Sequence, residues 1–160
     1  MRNQLLKLLE DDASLTAEQL AVMLGVSVRV VREEIDECKR LGIIRAYKAV
    51  IDWDRTSLES ACAIVHLKVT PKEDTGFDEI AERIAAFDEV DSVTLIAGDA
   101  DLQINVSGKN IQEISMFISR KLSTLPAVIS TKTQFVLKRY KDRQIIFCDD
   151  VDTDGRSLLV

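Results

Sequence analysis

A change in hydrophobic periodicity near Ile43 limits the possible folds more than any other property of this sequence. Before that point, apolar residues recur at the three- and four-residue spacing of amphipathic helices. The segment 43–53 is instead rich in β-branched and aromatic residues. Beyond residue 60, strand patterns and helix patterns alternate. We therefore expect a helical N-terminal part and a mixed C-terminal part.

Three helices are predicted in the first part of the chain. Thr16 can cap the second helix, which Gly25 ends in a tight turn, and Ser27 can cap a third over residues 28–41. Two short helices joined by such a turn, the second apolar on one side only, are typical of a helix-turn-helix. The segment 43–53 is expected to add strands or a wing.

The second part predicts four strands and two helices in the order βαββαβ, which is the ferredoxin-like split motif. The middle two strands are separated only by Asp99 and Ala100, so they must form a hairpin. The expected fold class is α+β: an N-terminal winged helix-turn-helix followed by a ferredoxin-like βαββαβ domain. The predicted strands are 61–69, 90–98, 101–108 and 128–140, and the helices are 77–87 and one capped by Asn110.

The predicted domain organisation follows these patterns. Residues 1–51 form the helix-turn-helix domain, 52–58 a linker, 59–142 the ferredoxin-like domain, and 143–160 a C-terminal strand, at QIIF, with a tail. Two helices cover only one face of a four-stranded sheet. The opposite face is still half apolar, so we expect it to pack against a second copy in a homodimer. On the first strand that face carries Cys62, Ile64, His66 and Lys68.

The helix-turn-helix pattern nominates double-stranded DNA as a partner. The N-terminal end of the second helix of such motifs enters the major groove, where arginine can read guanine. The candidate DNA contacts are Ser27, Arg29, Arg32, Glu33 and Arg40 on the third helix and Arg45 and Lys48 in the wing. The alternative is a helical hairpin used only for protein contacts, because four acidic residues of the third helix would repel phosphate if they faced it. These are Glu33, Glu34, Asp36 and Glu37.

No catalytic residue, cofactor or metal site is predicted. His66 is the only histidine, and Cys38, Cys62 and Cys148 are widely spaced without a CxxC pair. HExxH, P-loop and GxGxxG motifs are absent from the sequence. No apolar run approaches the roughly 18 to 20 residues of a membrane span, and the N-terminus does not resemble a signal peptide. We therefore expect a cytoplasmic protein that is neither an enzyme nor bound to a membrane.

Three segments in order resemble the Lrp/AsnC family, the feast/famine regulators of bacteria and archaea. LTAEQLAVMLGVS with the following long helix and GIIRAYKAVID is similar to the family's DNA-binding part. AGDADLQINV is similar to its glycine–aspartate hairpin, where the family usually has an aromatic residue in place of Ala100. LPAVISTKTQFVLKRYK resembles its closing segment, with Thr131 and Thr133 in a Thr-x-Thr pattern. The family commonly has a basic residue where Glu34 stands.

The resemblance implies a C-terminal RAM domain that binds an amino acid and joins dimers into tetramers or octamers. By position, the effector site would comprise Gly98, Asp99, Ala100, Asp101, Thr131 and Thr133. Backbone amides of a glycine turn can hold a carboxylate, and an aspartate can bind an ammonium group. Without the resemblance, the same residues indicate only a favourable turn and a favourable strand.

Two functions are consistent with these features. The first is a sequence-specific DNA-binding transcriptional regulator whose oligomeric state or DNA affinity responds to an amino acid or related metabolite. The alternative is a metabolite-sensing or assembly module with weak or lost DNA binding, which acts through protein partners.

Overall fold

The structure, a computed structural model, describes residues 1–74 and 76–148. It divides into two compact units, Met1–Ala49 and the part that begins at Val50. The first unit consists of three helices: α1 (Arg2–Asp11), α2 (Ala17–Leu24) and α3 (Val28–Arg40). The helix-turn-helix prediction is confirmed.

Local capping determines where the helices of this motif begin and end. The Thr16 hydroxyl accepts a hydrogen bond from the Gln19 backbone N–H, and the Gln19 side chain accepts one from the Thr16 N–H in return. Gly25 ends α2 in the left-handed conformation, with φ of +66°, which a residue without a Cβ adopts at little cost. The Ser27 side chain then caps α3 by accepting from the Val30 N–H at 3.4 Å.

The core of the first unit is formed by the apolar stripes of the three helices. Val31 and Cys38 are the buried residues of α3, so the opposite face of this helix is left to solvent. Burial also raises the pKa of the Cys38 thiol, as expected for a group that loses solvation of its charged form. The buried cluster consists of Leu5, Leu9, Leu20, Ala21 and Val31.

The expected wing does not form. Residues 43–52, all described, contain no strand, and the one regular element between α3 and β1 is a 3₁₀ turn at Trp53–Arg55. Ile43 and Ile44 donate their backbone N–H groups to the Cys38 carbonyl, which ends α3 in a tight turn. A strand needs a neighbouring strand for its hydrogen bonds, and the three-helix unit contains none. The β-rich composition of this segment is therefore not realised as a sheet within one chain.

The second unit has the predicted βαββαβ order, and its strands form one antiparallel sheet in the order β2-β3-β1-β4. This ferredoxin-like arrangement confirms the fold prediction. A short hairpin, β5 with β6, follows. The elements are β1 (Ala61–Val69), α4 (Asp78–Ala85), β2 (Val90–Leu95), β3 (Leu102–Gly108), α5 (Ile111–Phe117), a π-helical turn (Ile118–Leu122), β4 (Val128–Phe135), β5 (Lys141–Asp142) and β6 (Ile145–Ile146).

Alternation along β1 separates the two faces of the sheet as predicted. Ala63, Val65, Leu67 and Val69 are buried against the helices. On the other face, Lys68 is exposed and its three companions, Cys62, Ile64 and His66, are half-buried. The exposed face of the single chain is thus partly apolar.

Several boundaries differ from the sequence prediction; β4, for example, ends at Phe135 rather than at residue 140. The loop between β2 and β3 comprises residues 96–101 rather than two residues, because Asp101 bonds to the end of β1 through its backbone N–H and its carboxylate. The predicted strand at QIIF is limited to Ile145–Ile146, which pairs with Lys141–Asp142. Residues 149–160 of the predicted tail lie outside the described residues. No helix in the described part is long and apolar enough to cross a membrane.

Candidate DNA-binding and effector sites

The seven candidate DNA contacts all lie on the surface of the first unit. Ser27 is at the N-terminus of α3, and four others project from the outer face of that helix. The remaining two follow α3 in a segment without regular structure. All are exposed: Ser27, Arg29, Arg32, Glu33, Arg40, Arg45 and Lys48.

Each arginine of α3 is paired with a carboxylate. Arg29 Nε lies 2.7 Å from Glu33 Oε1, one turn further along the helix. Arg32 Nη2 lies 2.7 Å from Glu18 Oε1 on α2. Both pairs are well exposed, so water screens them and neither is held strongly.

Arg40 makes the third pair. Its Nε and Nη2 donate to the two carboxylate oxygens of Glu37, at 2.7 and 2.5 Å. These bonds to Arg40 lower the pKa of the Glu37 carboxyl below its ordinary value. Glu37 therefore remains ionised and neutralises Arg40 in the free protein.

Glu34 does not belong to the outer face of α3. Its side chain is only 18% exposed and forms an ion pair with Arg2 of α1. The carboxylate that stands in place of the family's usual basic residue thus stabilises the packing of α3 on α1. Of the four acidic residues that argued against DNA binding, Glu33 and Glu37 hold arginines and Glu34 faces α1. Asp36 alone forms no ion pair within the described residues.

The two basic residues beyond α3 are positioned by the turn that ends the helix. Gly42 has φ of +67°, and a Cβ at this position would lie 3.2 Å from Arg45 Cζ, so the guanidinium packs against the glycine. Lys48 is exposed in the irregular segment that follows. Because no wing forms, neither side chain is fixed by a sheet.

The candidate effector loop is attached to the end of β1 by Asp101. The Asp101 backbone N–H donates to the Leu67 carbonyl at 2.9 Å, and Asp101 Oδ2 accepts from the Val69 N–H at 2.9 Å. Asp101 therefore has a structural role in the single chain. Asp99 and Gly98 are exposed at the tip of the loop, where no atom lies within 4 Å of a Cβ built on Gly98. Ala100 is half-buried between them and Asp101.

The two candidate threonines lie at the edge of the same sheet. Thr131 pairs with Leu67 and Thr133 with Val65, and both threonines are half-buried. Leu67 pairs on its other side with Leu102, the first residue of β3 after the effector loop. Thr131 therefore lies level with Leu102, at the end of the sheet that carries this loop. With strands about 4.8 Å apart, this position places Thr131 roughly 10 Å from β3. The structure brings loop and threonine to one end of the sheet, with β1 between them.

Comparison with known proteins identifies both units. A family model described as Lrp/AsnC ligand binding domain matches residues 62–146, and one described as HTH domain matches residues 1–51. The uncharacterised HTH-type transcriptional regulator YugG of Bacillus subtilis is 40% identical over 154 residues, which are 96% of this chain and 92% of YugG.

Solved structures share the fold. The crystal structure of PH0061 superposes with a TM-score of 0.76 at 26% identity and covers 88% of this chain and 93% of that protein. The regulator NMB0573 of Neisseria meningitidis, solved as a complex with L-Met, has a TM-score of 0.70 at 20% identity and covers 88% and 90% of the two chains.

Proposed function

Because the chain belongs to the Lrp/AsnC family of helix-turn-helix transcriptional regulators, we propose that it binds a specific double-stranded DNA sequence through α3 and responds to an amino acid. The observation that carries the proposal is the outer face of α3. Its three arginines are exposed, as are Glu33 and Asp36, while Val31 and Cys38 anchor the opposite face in the core. A helix held in this way can enter the major groove without disturbing the core.

The roles of the side chains follow from their positions on α3. Arg29 and Arg32 lie near the N-terminus of α3. On DNA they would exchange their carboxylate partners for the edges of guanine bases, and Ser27 would bind phosphate. Glu33 would orient Arg29 or accept from a cytosine amino group. Arg40, Arg45 and Lys48 would hold the DNA backbone.

A fluorescence anisotropy titration tests this role. The probes are a DNA duplex from the region upstream of the gene that encodes this protein, called the upstream duplex, and a scrambled duplex of equal length. We expect Arg29→Ala to weaken binding to the upstream duplex about tenfold or more, because a bidentate base contact contributes about 1–3 kcal/mol. Lys7→Ala, an exposed change on α1, is the matched control and should bind as the wild type does. Equal affinity of wild type and Arg29→Ala would contradict the assignment.

The effector site is proposed at the end of the sheet that carries Gly98, Asp99 and Ala100. Backbone amides of this loop would hold the carboxylate of an amino acid, and Asp99 would bind its ammonium group. Asp101, already bonded to β1, would position the loop, and Thr131 and Thr133 would contribute hydroxyls from the same or a neighbouring copy. The L-Met complex of the structurally similar NMB0573 supports this ligand class.

Assembly would connect the two functions. The half-apolar sheet face of β1 supports a homodimer, which we propose assembles further to a tetramer or octamer. An amino acid that binds one assembly more tightly than another shifts the population between them, and so changes the spacing of the α3 helices on DNA.

The alternative is a metabolite-sensing or assembly module that acts through protein partners. The paired arginines favour it to some degree, because they leave the outer face of α3 with little net charge. The anisotropy titration separates the two functions. Tight binding to the upstream duplex, together with weak binding to the scrambled duplex, would rule out the alternative. The matching relatives are regulators, so we propose no enzymatic role, and a cytoplasmic location where chromosomal DNA is accessible.

A further inference from the structure

The second unit contains a groove that none of the roles above uses. It has a volume of about 360 Å³, within the range of small-molecule sites. The groove lies beside the C-terminal end of β1, where Thr70 follows the strand. Its main lining residues are Thr70, Pro71, Ile80, Arg83, Pro126 and Ala127.

The walls of the groove are preformed. Both prolines of the sequence, Pro71 and Pro126, line it, and their rings fix the local backbone. The Thr70 N–H donates to the Ala127 carbonyl at 2.8 Å, which joins the two wall segments. Ile80 adds a buried apolar side chain from α4. Little conformational entropy would be lost when a ligand enters.

Of the charged side chains that line the groove, Lys72 and Glu79 pair with each other, and Arg83 has no ion-pair partner among the described residues. Lys72 Nζ lies 2.6 and 2.7 Å from the two carboxylate oxygens of Glu79, so these two side chains neutralise each other. Arg83, one helical turn beyond Glu79, forms no ion pair or hydrogen bond with any residue in the described part of the chain. An exposed guanidinium beside apolar walls is suited to a carboxylate, which it can bind through two parallel hydrogen bonds.

We infer that this groove binds a small monocarboxylate with a short branched aliphatic tail, with the carboxylate on Arg83 and the tail against Pro71, Pro126 and Ile80. The charge pattern favours a 2-oxo acid over the corresponding amino acid. An ammonium group would meet the cations of Lys72 and Arg83, while Glu79 is already occupied by Lys72.

The groove is also adjacent to the proposed effector loop. Val69, whose N–H is held by Asp101, directly precedes Thr70 of the groove wall. A ligand that stiffens the wall therefore acts on the same strand end that anchors the loop. The inference does not depend on the proposed amino-acid site, since it uses none of its residues.

Isothermal titration calorimetry of the full chain tests the assignment. The probes are the 2-oxo acid 4-methyl-2-oxopentanoate (called the keto acid below), leucine and the neutral amide 4-methyl-2-oxopentanamide. The keto acid should bind the wild type, and both the neutral amide and the Arg83→Gln variant should show affinity lower by about tenfold or more, because a charged hydrogen-bonded pair is lost. Arg120→Gln, an exposed arginine outside the groove, is the matched control and should bind as the wild type does.

Several outcomes would overturn the inference. These are the absence of keto-acid binding to the wild type at millimolar concentration, equal binding by Arg83→Gln, or equal binding of the neutral amide. Leucine binding that is lost in Arg83→Gln would also overturn it, because the groove would then be an amino-acid site. Asp99→Ala should leave keto-acid binding unchanged, which separates failure of this site from failure of the effector loop.

Discussion

In the proposed DNA-binding role, single side chains on α3 would decide how strongly the first unit attracts DNA. Glu37 holds Arg40 through two hydrogen bonds, and Glu33 and Glu18 hold the two arginines nearer the N-terminus. The outer face of the helix is therefore a set of exchangeable ion pairs rather than a fixed positive patch. Such pairs suppress attraction to DNA of any sequence, and a well-placed guanine can still displace a carboxylate.

Removal of Glu37 tests this view at the level of one residue. We expect Glu37→Gln to raise affinity severalfold for both the upstream and the scrambled duplex, because it frees Arg40 and removes a charge that repels phosphate. Glu10→Gln, an exposed change on α1, is the matched control in the same anisotropy assay. An affinity of Glu37→Gln that equals or falls below the wild type would show that Arg40 does not approach the backbone.

Among the elements, the β2–β3 hairpin is held to β1 by the ladder of β3, and Asp101 ties its loop to the end of β1. Asp101 binds β1 through its backbone N–H and through its carboxylate, so it joins the loop to the strand beside the groove. Asp101, which the family resemblance assigns to ligand binding, therefore also has a structural role. The effects of substitutions on stability and on ligand binding must be measured separately.

The comparison of Asp101→Ala with Asp101→Asn makes that separation. Alanine leaves the Val69 N–H without its acceptor, so we expect the free energy of unfolding to fall by about 1–2 kcal/mol. Asparagine retains an acceptor oxygen, so it should restore most of the loss. Urea unfolding followed by circular dichroism measures both. Equal losses for the two variants would mean that the Val69 hydrogen bond is not what stabilises the hairpin.

The sequence predicted elements well where local chemistry sets their limits. Thr16, Gly25 and Ser27 placed the ends of two helices because capping depends on neighbouring residues alone. It did not predict that residues 43–52 lack a strand, since strand formation depends on a partner strand that the composition cannot supply. The six-residue length of the β2–β3 loop likewise depends on a contact to β1.

At the candidate sites, the sequence predicted which side chains are exposed but not which ion pairs they form. Arg29 with Glu33 and Arg40 with Glu37 have the helical spacing of ion pairs, so they could have been predicted. The pairs of Arg32 with Glu18 and of Arg2 with Glu34 join different helices, so they required the packing angle. The groove beside Arg83 joins segments far apart in sequence and left no recognisable pattern.

On the scale of the whole molecule, charge is divided unevenly between the units. Residues 1–50 contain equal numbers of acidic and basic residues, so the net charge of −6 arises beyond them. The chain as a whole is therefore not attracted to DNA by its net charge, and the proposed binding would rest on the local row of side chains on α3. In the proposed function, the second unit would bind the effector and further copies of the chain.

The molar mass of the protein in solution, measured with and without added amino acids, tests the roles proposed for the second unit. We expect light scattering after gel filtration to show a homodimer or larger assembly, and at least one amino acid of a full panel to change its size. Asp99→Ala should abolish that change, because the ammonium partner is lost, and should leave the basic assembly intact. A monomer, or a ligand response that persists in Asp99→Ala, would contradict the proposed roles of the sheet face and the loop.

The salt dependence of DNA binding tests most directly the claim that α3 presents its cations to a duplex. The association constant for the upstream duplex would be measured between about 50 and 200 mM salt. We predict a linear fall of its logarithm with the logarithm of salt concentration, with a slope of about −0.9 per phosphate contact, and a slope smaller by about one contact for Arg40→Ala. A flat dependence, or a slope unchanged in Arg40→Ala, would contradict it.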